Sequence, residues 1–173
     1  VSDHVMIKID KENPLEIPEM LFDKNRFDFY NSQTLLRVVV KNSSEVQSVF
    51  KELKKNKTAD YEVFLTKKFP RKLHFSQRDD HYNRIGQILL IPKAPQIFLE
   101  KGKKTSTGKH GYNPYNVPEM KATFIAFGDA IKTNQTIGEF KNVNIYPIVA
   151  EILDLKLSEE IDGKDETARK ILK

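Results

Sequence analysis

The densest apolar stretches of the chain, residues 35–40 and 88–91, are strand-sized and far short of the roughly 18 residues that a membrane-spanning helix needs. A chain built this way must fold from short elements that each bury one face against another. Its 173 residues amount to about one domain or two small lobes, and 39% hydrophobic residues are enough for a packed core. Charge is high at 31%, with 29 Lys+Arg against 24 Asp+Glu for a net +5. Cysteine is absent, so disulfides, thiolate metal sites and a cysteine nucleophile are all excluded. Any metal would have to be held by His, Asp or Glu.

The chain opens at Val1-Ser2-Asp3-His4 without an initiator Met, a basic leader or an apolar signal core, and reads as a piece of a longer polypeptide. Residues 1–30 carry the turn-formers Asn13, Pro14 and Pro18 and no sustained period, which predicts loop with one strand end. Residues 34–41 are β-branched and apolar, as in a buried strand. Asn42-Ser43-Ser44 then offers helix caps ahead of Val46, Val49, Phe50 and Leu53 at helical spacing. Residues 61–66 alternate, and 72–75 and 85–91 read as further short strands. The order β-α-β-β-β predicts a small α+β lobe with one helix on a mostly antiparallel sheet.

From residue 92 the texture changes. Pro92 and Pro95 bracket a turn, 96–99 reads as a short strand, and 101–109 is a Gly/Lys/Thr/Ser loop. Residues 120–127 read as a strand. Val143, Tyr146, Val149, Ala150 and Leu153 then stand at helix spacing over 142–155, with Asn142 or Asn144 as cap and Pro147 tolerated in the first turn.

Four histidines carry most of the available chemistry. His4 follows Asp3 where a strand would end, a place for two ligands in a pocket or for a solvated or capping pair. His110 lies between Gly108 and Gly111, which free the backbone to bring an imidazole to a metal or phosphate, although an ordinary loop histidine fits the same pattern. His74 falls in a strand pattern and His81 in the charged turn Arg78-Asp79-Asp80-His81, both reading as structural or solvated. Basic residues gather at Lys51, Lys54, Lys55 and Lys57, around Pro70 as Lys67, Lys68, Arg71 and Lys72, and at Lys101, Lys103, Lys104 and Lys109. They form either a phosphate-attracting face or solvated surface, and no stacking-aromatic or recognition-helix motif accompanies them.

Three segments taken in order narrow these alternatives: VSDHVM at 1–6, GKHGYNP at 108–114, and PEMKATFIAFGDAIK running into FKNVNIYPIVAEILDL over 118–155. With Arg84-Ile85-Gly86-Gln87-Ile88 and Asp162-Gly163, they resemble the carboxy-terminal part of type I phosphodiesterases/nucleotide pyrophosphatases, of the alkaline phosphatase superfamily. The resemblance implies an α/β fold overall, an alkaline phosphatase-like core represented by its C-terminal portion, with an inserted small α+β lobe. It divides the chain into a metal-binding core segment at 1–30, a cap-like lobe at 31–100 and a return to the core at 101–173.

The resemblance also implies two zinc ions, with Asp3 and His4 ligating one and His110 the other. A threonine or serine nucleophile and the remaining ligands lie upstream in the family, so this chain alone is expected to hold incomplete sites and to be inactive. The intact parent would hydrolyse phosphodiester or pyrophosphate bonds of nucleotides through a covalent Thr/Ser intermediate, in a periplasmic or secreted setting. Two departures stand out: Val5 replaces a usual glycine, and Asn113 a usual aspartate. Ile125, Phe127, Tyr146 and Val149 would lack the partners they have in a larger sheet, so the missing N-terminal part and a second copy of the chain are both expected partners. Two other readings stand beside this one: a non-enzymatic basic α+β module for nucleic acid or another acidic partner, and a monoesterase or phosphonate hydrolase of the same superfamily.

Overall fold

The computed structural model describes Ser2 and residues 4–173, which form two compact units. The larger, His4–Lys121, is built on a four-stranded sheet in the order β2-β3-β5-β4, antiparallel throughout. Its strands are β2 (Phe27–Asn31), β3 (Leu36–Val40), β4 (Tyr61–Leu65) and β5 (Ile88–Pro92). Alternation sets the faces. Leu36, Val38 and Val40 of β3 are buried, and so are Tyr61, Val63 and Leu65 of β4, with intermediate residues between them.

Helix α1 (Val46–Asn56) covers that face, where Val49 and Leu53 sit among Phe27, Leu36, Val38, Leu90 and Phe98. Each fully buried side chain of this size contributes about 1.5–3 kcal/mol. Asn42 caps the 3-10 turn at Ser43–Glu45, its side-chain Oδ1 accepting from Ser44 N, and that turn leads into α1, which has no side-chain cap of its own.

Strand β5 explains its own sequence. Ile88, Leu89 and Leu90 are all buried because the second sheet face is also covered, around Leu89, by Phe69 and Ile85 with Phe64, Leu73 and Phe75. That cover is the long connection from β4 to β5. It returns through Gly86 at φ +83°, where an added Cβ would stand 2.5 Å from Val38 O. Only glycine fits there.

The smaller unit comprises Ala122–Lys173 and Ser2, whose N–H donates to Thr123 O. Helices α2 (Ile145–Ile152) and α3 (Glu166–Ile171) enclose Ile148, Ala168 and Ile171, with Ile131 and Leu172 joined by a single bridge. Asn144 does not cap α2 with its side chain. It accepts from Lys164 N and donates to Thr167 Oγ1, tying the 164–167 turn to the start of the helix. Ile125, Phe127, Tyr146 and Val149, which the resemblance left without their larger-sheet partners, are exposed, at 72%, 90%, 56% and 45%.

The α/β fold with an α+β lobe stands, but several elements differ from expectation. Strand β2 falls where loop was expected. Residues 72–75 form no strand: the chain makes a 3-10 turn, Arg71–Leu73, ended by His74 at φ 48°, a left-handed residue that reverses the chain where a strand would continue it. Residues 120–127 form no ladder among the described residues; Phe124 and Ala126 still face the α2/α3 cluster while Ile125 and Phe127 face water, so strand-like alternation persists without strand pairing. The 96–99 segment is reduced to one parallel bridge, Leu15 to Phe98, and α3 adds a helix beyond the last one expected.

Candidate functional site

Two short strands carry the candidate site. Strand β1 (Ile7–Lys8) pairs antiparallel with β6 (Gly108–Lys109), Ile7 opposite Lys109 and Lys8 opposite Gly108. Extending that register past the ladder brings the segment before β1 alongside the segment after β6. His4 and His110 consequently meet, their rings stacked with centroids 3.9 Å apart and planes 14° from parallel.

The backbone around His110 is held from three directions. Gly111 adopts φ +94°, and an added Cβ would lie 2.7 Å from Thr34 Oγ1, so the chain there lies directly against the β2–β3 connection. Tyr112 is buried and its hydroxyl donates to Gln96 O at 2.9 Å; burial pushes the phenol up to about 12, which keeps it a neutral donor. Asn113 closes the following turn by accepting from Tyr115 N through its side chain and from Asn116 N and Val117 N through its carbonyl. An aspartate would accept the same Tyr115 N–H, so this departure from the resembled motif costs the turn nothing.

The β2–β3 connection serves as a seat for the whole region. Gln33, at φ 72°, accepts Phe98 N with its carbonyl and Thr105 Oγ1 with its side chain, while Asn31 Nδ2 donates to Phe98 O. Sequence reasoning passed over Asn31, Gln33 and Thr34 because nothing in a polar hairpin tip reveals which distant segment it will hold.

Of the three residues the resemblance put on metals, the structure brings His4 and His110 together, and Asp3 lies outside the described residues. Among the described residues no group of three or more His, Asp or Glu side chains is arranged to hold a metal ion. His74 and His81 lie elsewhere, exposed in the β4–β5 connection. There the Ser76 hydroxyl and N–H hold the Asp79 carboxyl below the usual carboxylate range, with His74 and His81 adding to the effect. The same connection brings Lys72 over the Tyr115 ring, 4.2 Å from its centroid.

The two imidazoles differ from a pair converging on one ion. A ring nitrogen offers its lone pair in the ring plane, so nearly parallel rings 3.9 Å apart address neighbouring planes.

Comparison with known proteins shows what the chain as a whole is similar to. The sequence model of type I phosphodiesterase/nucleotide pyrophosphatase matches residues 1–113. Venom phosphodiesterase CdcPDE of Crotalus durissus collilineatus is 26% identical over 165 residues, covering 90% of this chain and 19% of its own length. The bis(5'-adenosyl)-triphosphatase of Mus musculus is 23% identical over 155 residues, covering 90% of this chain and 32% of its own. Among solved structures, murine ectonucleotide pyrophosphatase/phosphodiesterase 5 shares the fold at a TM-score of 0.82 and 21% identity, over 99% of this chain and 44% of that one. The chain therefore spans less than half the length of these relatives. No helix among its described residues is long and apolar enough to cross a membrane. With the family model covering well over half its residues, the chain belongs to the type I phosphodiesterase/nucleotide pyrophosphatase family.

Proposed function

We propose that this chain is the C-terminal part of a zinc-dependent hydrolase that cleaves phosphodiester or pyrophosphate bonds of nucleotides outside the cytoplasm. The observation that carries the reading is the stacked pair of His4 and His110, drawn from opposite ends of a segment matched by the family model. In this reading His4 and Asp3 hold one zinc ion and His110 the other, nitrogen and carboxylate oxygen being the donors zinc takes where thiolates are absent. When bound, such ions polarise the phosphoryl oxygens and lower the pKa of an attacking hydroxyl.

The chain's own residues orient and hold. Tyr112 and Gly111 fix the backbone that carries His110, and the β1–β6 ladder keeps His4 against it. The nucleophile is a threonine or serine of the preceding part of the polypeptide. In support, a form of murine ectonucleotide pyrophosphatase/phosphodiesterase 5 with alanine in place of a threonine is described as inactive and in complex with AMP. Residues 31–100 act as an inserted lobe beside the site, and 1–30 and 101–173 as pieces of the catalytic core. The exposed Ile125, Phe127, Tyr146 and Val149 are then covered by the rest of that core, or by a second copy when the chain is alone.

The test compares this chain with the longer polypeptide that includes upstream sequence. The chain with added zinc should leave a chromogenic phosphodiester intact, whereas the longer form should hydrolyse it. In the longer form, His110→Ala should remove most activity and lower zinc content by mass spectrometry, and His74→Ala should do far less. Zinc-dependent turnover by the chain alone, or equal losses at both histidines, overturns the reading.

A further inference from the structure

The second face of the four-stranded sheet is only partly covered. Near Leu89 the β4–β5 connection packs on it, but toward β2 the face is occupied by Tyr30 and its cross-strand neighbour Arg37. The Arg37 guanidinium lies over the Tyr30 ring, 5.3 Å from its centroid, and its Nη1 donates to Arg84 O at 3.0 Å. Arg84 in turn lies over the Tyr82 ring at 4.6 Å. Tyr30, Arg37, Arg84 and Tyr82 thus form one continuous strip in which two guanidinium groups lie between two rings, with Tyr30 half exposed and Tyr82 75% exposed.

The acidic groups nearby are turned to other work. Both Asp80 oxygens accept backbone N–H groups, from Arg84 and Ile85, Asp79 holds Ser76, and Asp28 is paired with Lys41 at 3.4 Å. The strip therefore presents two aromatic rings, the exposed Arg84 and the partly exposed Arg37, and among the described residues neither guanidinium is ion-paired with a carboxylate, Asp80 acting on Arg84 only through its charge.

We propose that this strip is an accessory binding site for single-stranded nucleic acid, separate from the histidine pair. Exposed rings give bases a stacking surface, and guanidinium forks match phosphate oxygens, so two cations flanked by a ring on either side correspond to a phosphate linkage with a base on either side of it. A sulfated glycan would use the cations and leave the rings idle. The site does not rest on the hydrolase reading, because it uses none of Asp3, His4 or His110.

Fluorescence anisotropy of a labelled single-stranded oligodeoxythymidylate, titrated with the full chain in chelator at low ionic strength, tests this apart from any zinc site. The oligonucleotide should bind, and more weakly as salt rises. Tyr82→Ala and Arg84→Ala should each weaken binding by about tenfold, within the range that loss of one stacked base produces. Tyr82→Phe should retain binding, and Lys55→Ala, which removes one positive charge from α1 on the opposite sheet face, should change it by about twofold or less. Absence of binding, equal losses for Lys55→Ala and Arg84→Ala, or base-free polyphosphate or heparin binding as tightly as the oligonucleotide would each overturn the site.

Discussion

The two units of this chain solve burial differently. In His4–Lys121 a sheet is covered by α1 on one face and, around Leu89, by the β4–β5 connection on the other, and Leu36, Val38, Ile88, Leu89 and Leu90 are completely buried. In Ala122–Lys173 two short helices cover one side of each other, while Tyr146, Val149, Ile152 and Leu153 of α2 and its end remain exposed. The kinds of apolar residue do not separate them, since Ile, Leu and Phe occur throughout both. The difference is in whether the chain supplies a second layer within reach, and apolar residues that lack one mark a surface made to be covered.

The largest effects should come from the sheet interior. Leu90→Ala leaves a cavity between the sheet and α1 and should destabilise the larger unit by about 3–5 kcal/mol, whereas Ile148→Ala, beside helices free to close in, should cost about 2 kcal/mol or less. Hydrogen exchange on each unit separates the two losses, and equal values would erase the contrast. Smaller effects should follow from the glycines that allow close approach. Gly86→Ala drives a Cβ into Val38 O of a paired strand and should cost about 1–3 kcal/mol. Gly163→Ala meets Val143 O at 2.3 Å, but its turn can yield without dragging a ladder, so its thermal shift should be smaller.

The smallest contrast is in pH. The Asp79 carboxyl is lowered chiefly by the Ser76 hydroxyl, so its contribution is present above the ordinary carboxylate range and fades as pH falls below about 4. Tyr112 is raised to about 12 by burial, so its contribution is complete below about pH 10 and is lost as pH climbs through the raised value. Both groups belong to the larger unit. Exchange protection in the β4–β5 connection should weaken at the acid end and around Gln96 at the alkaline end, while the α2/α3 pairing should respond to neither.

Much of the larger unit was legible because its strands and helix announce themselves by period: Val38 and Val40, Tyr61 and Val63, Val49 and Leu53 fall on the faces their spacing assigns. Strand β2 escaped because Phe27, Phe29 and Tyr30 put apolar residues on both parities. Residues 72–75 misled because Leu73 and Phe75 do pack inward together, from a turn whose geometry is decided by the left-handed His74. The histidine pair was legible only through motif resemblance. No local pattern relates His4 to a residue about a hundred positions away.

That distance has a consequence for the order in which the protein assembles. Joining β1 to β6 closes a loop of about a hundred residues for the return of a two-residue ladder, and the entropy of such a closure in an unfolded chain, growing as the logarithm of loop length, opposes it. Once the β2–β5 sheet has formed, with Gln33 gripping Phe98 and Thr105, most of that loop is already fixed and the remaining gap is short. The imidazole stack should therefore be a late event on the folding pathway and an early casualty of partial opening, so that the chemistry-bearing end of the molecule reports on the integrity of a hairpin that carries none of the chemistry.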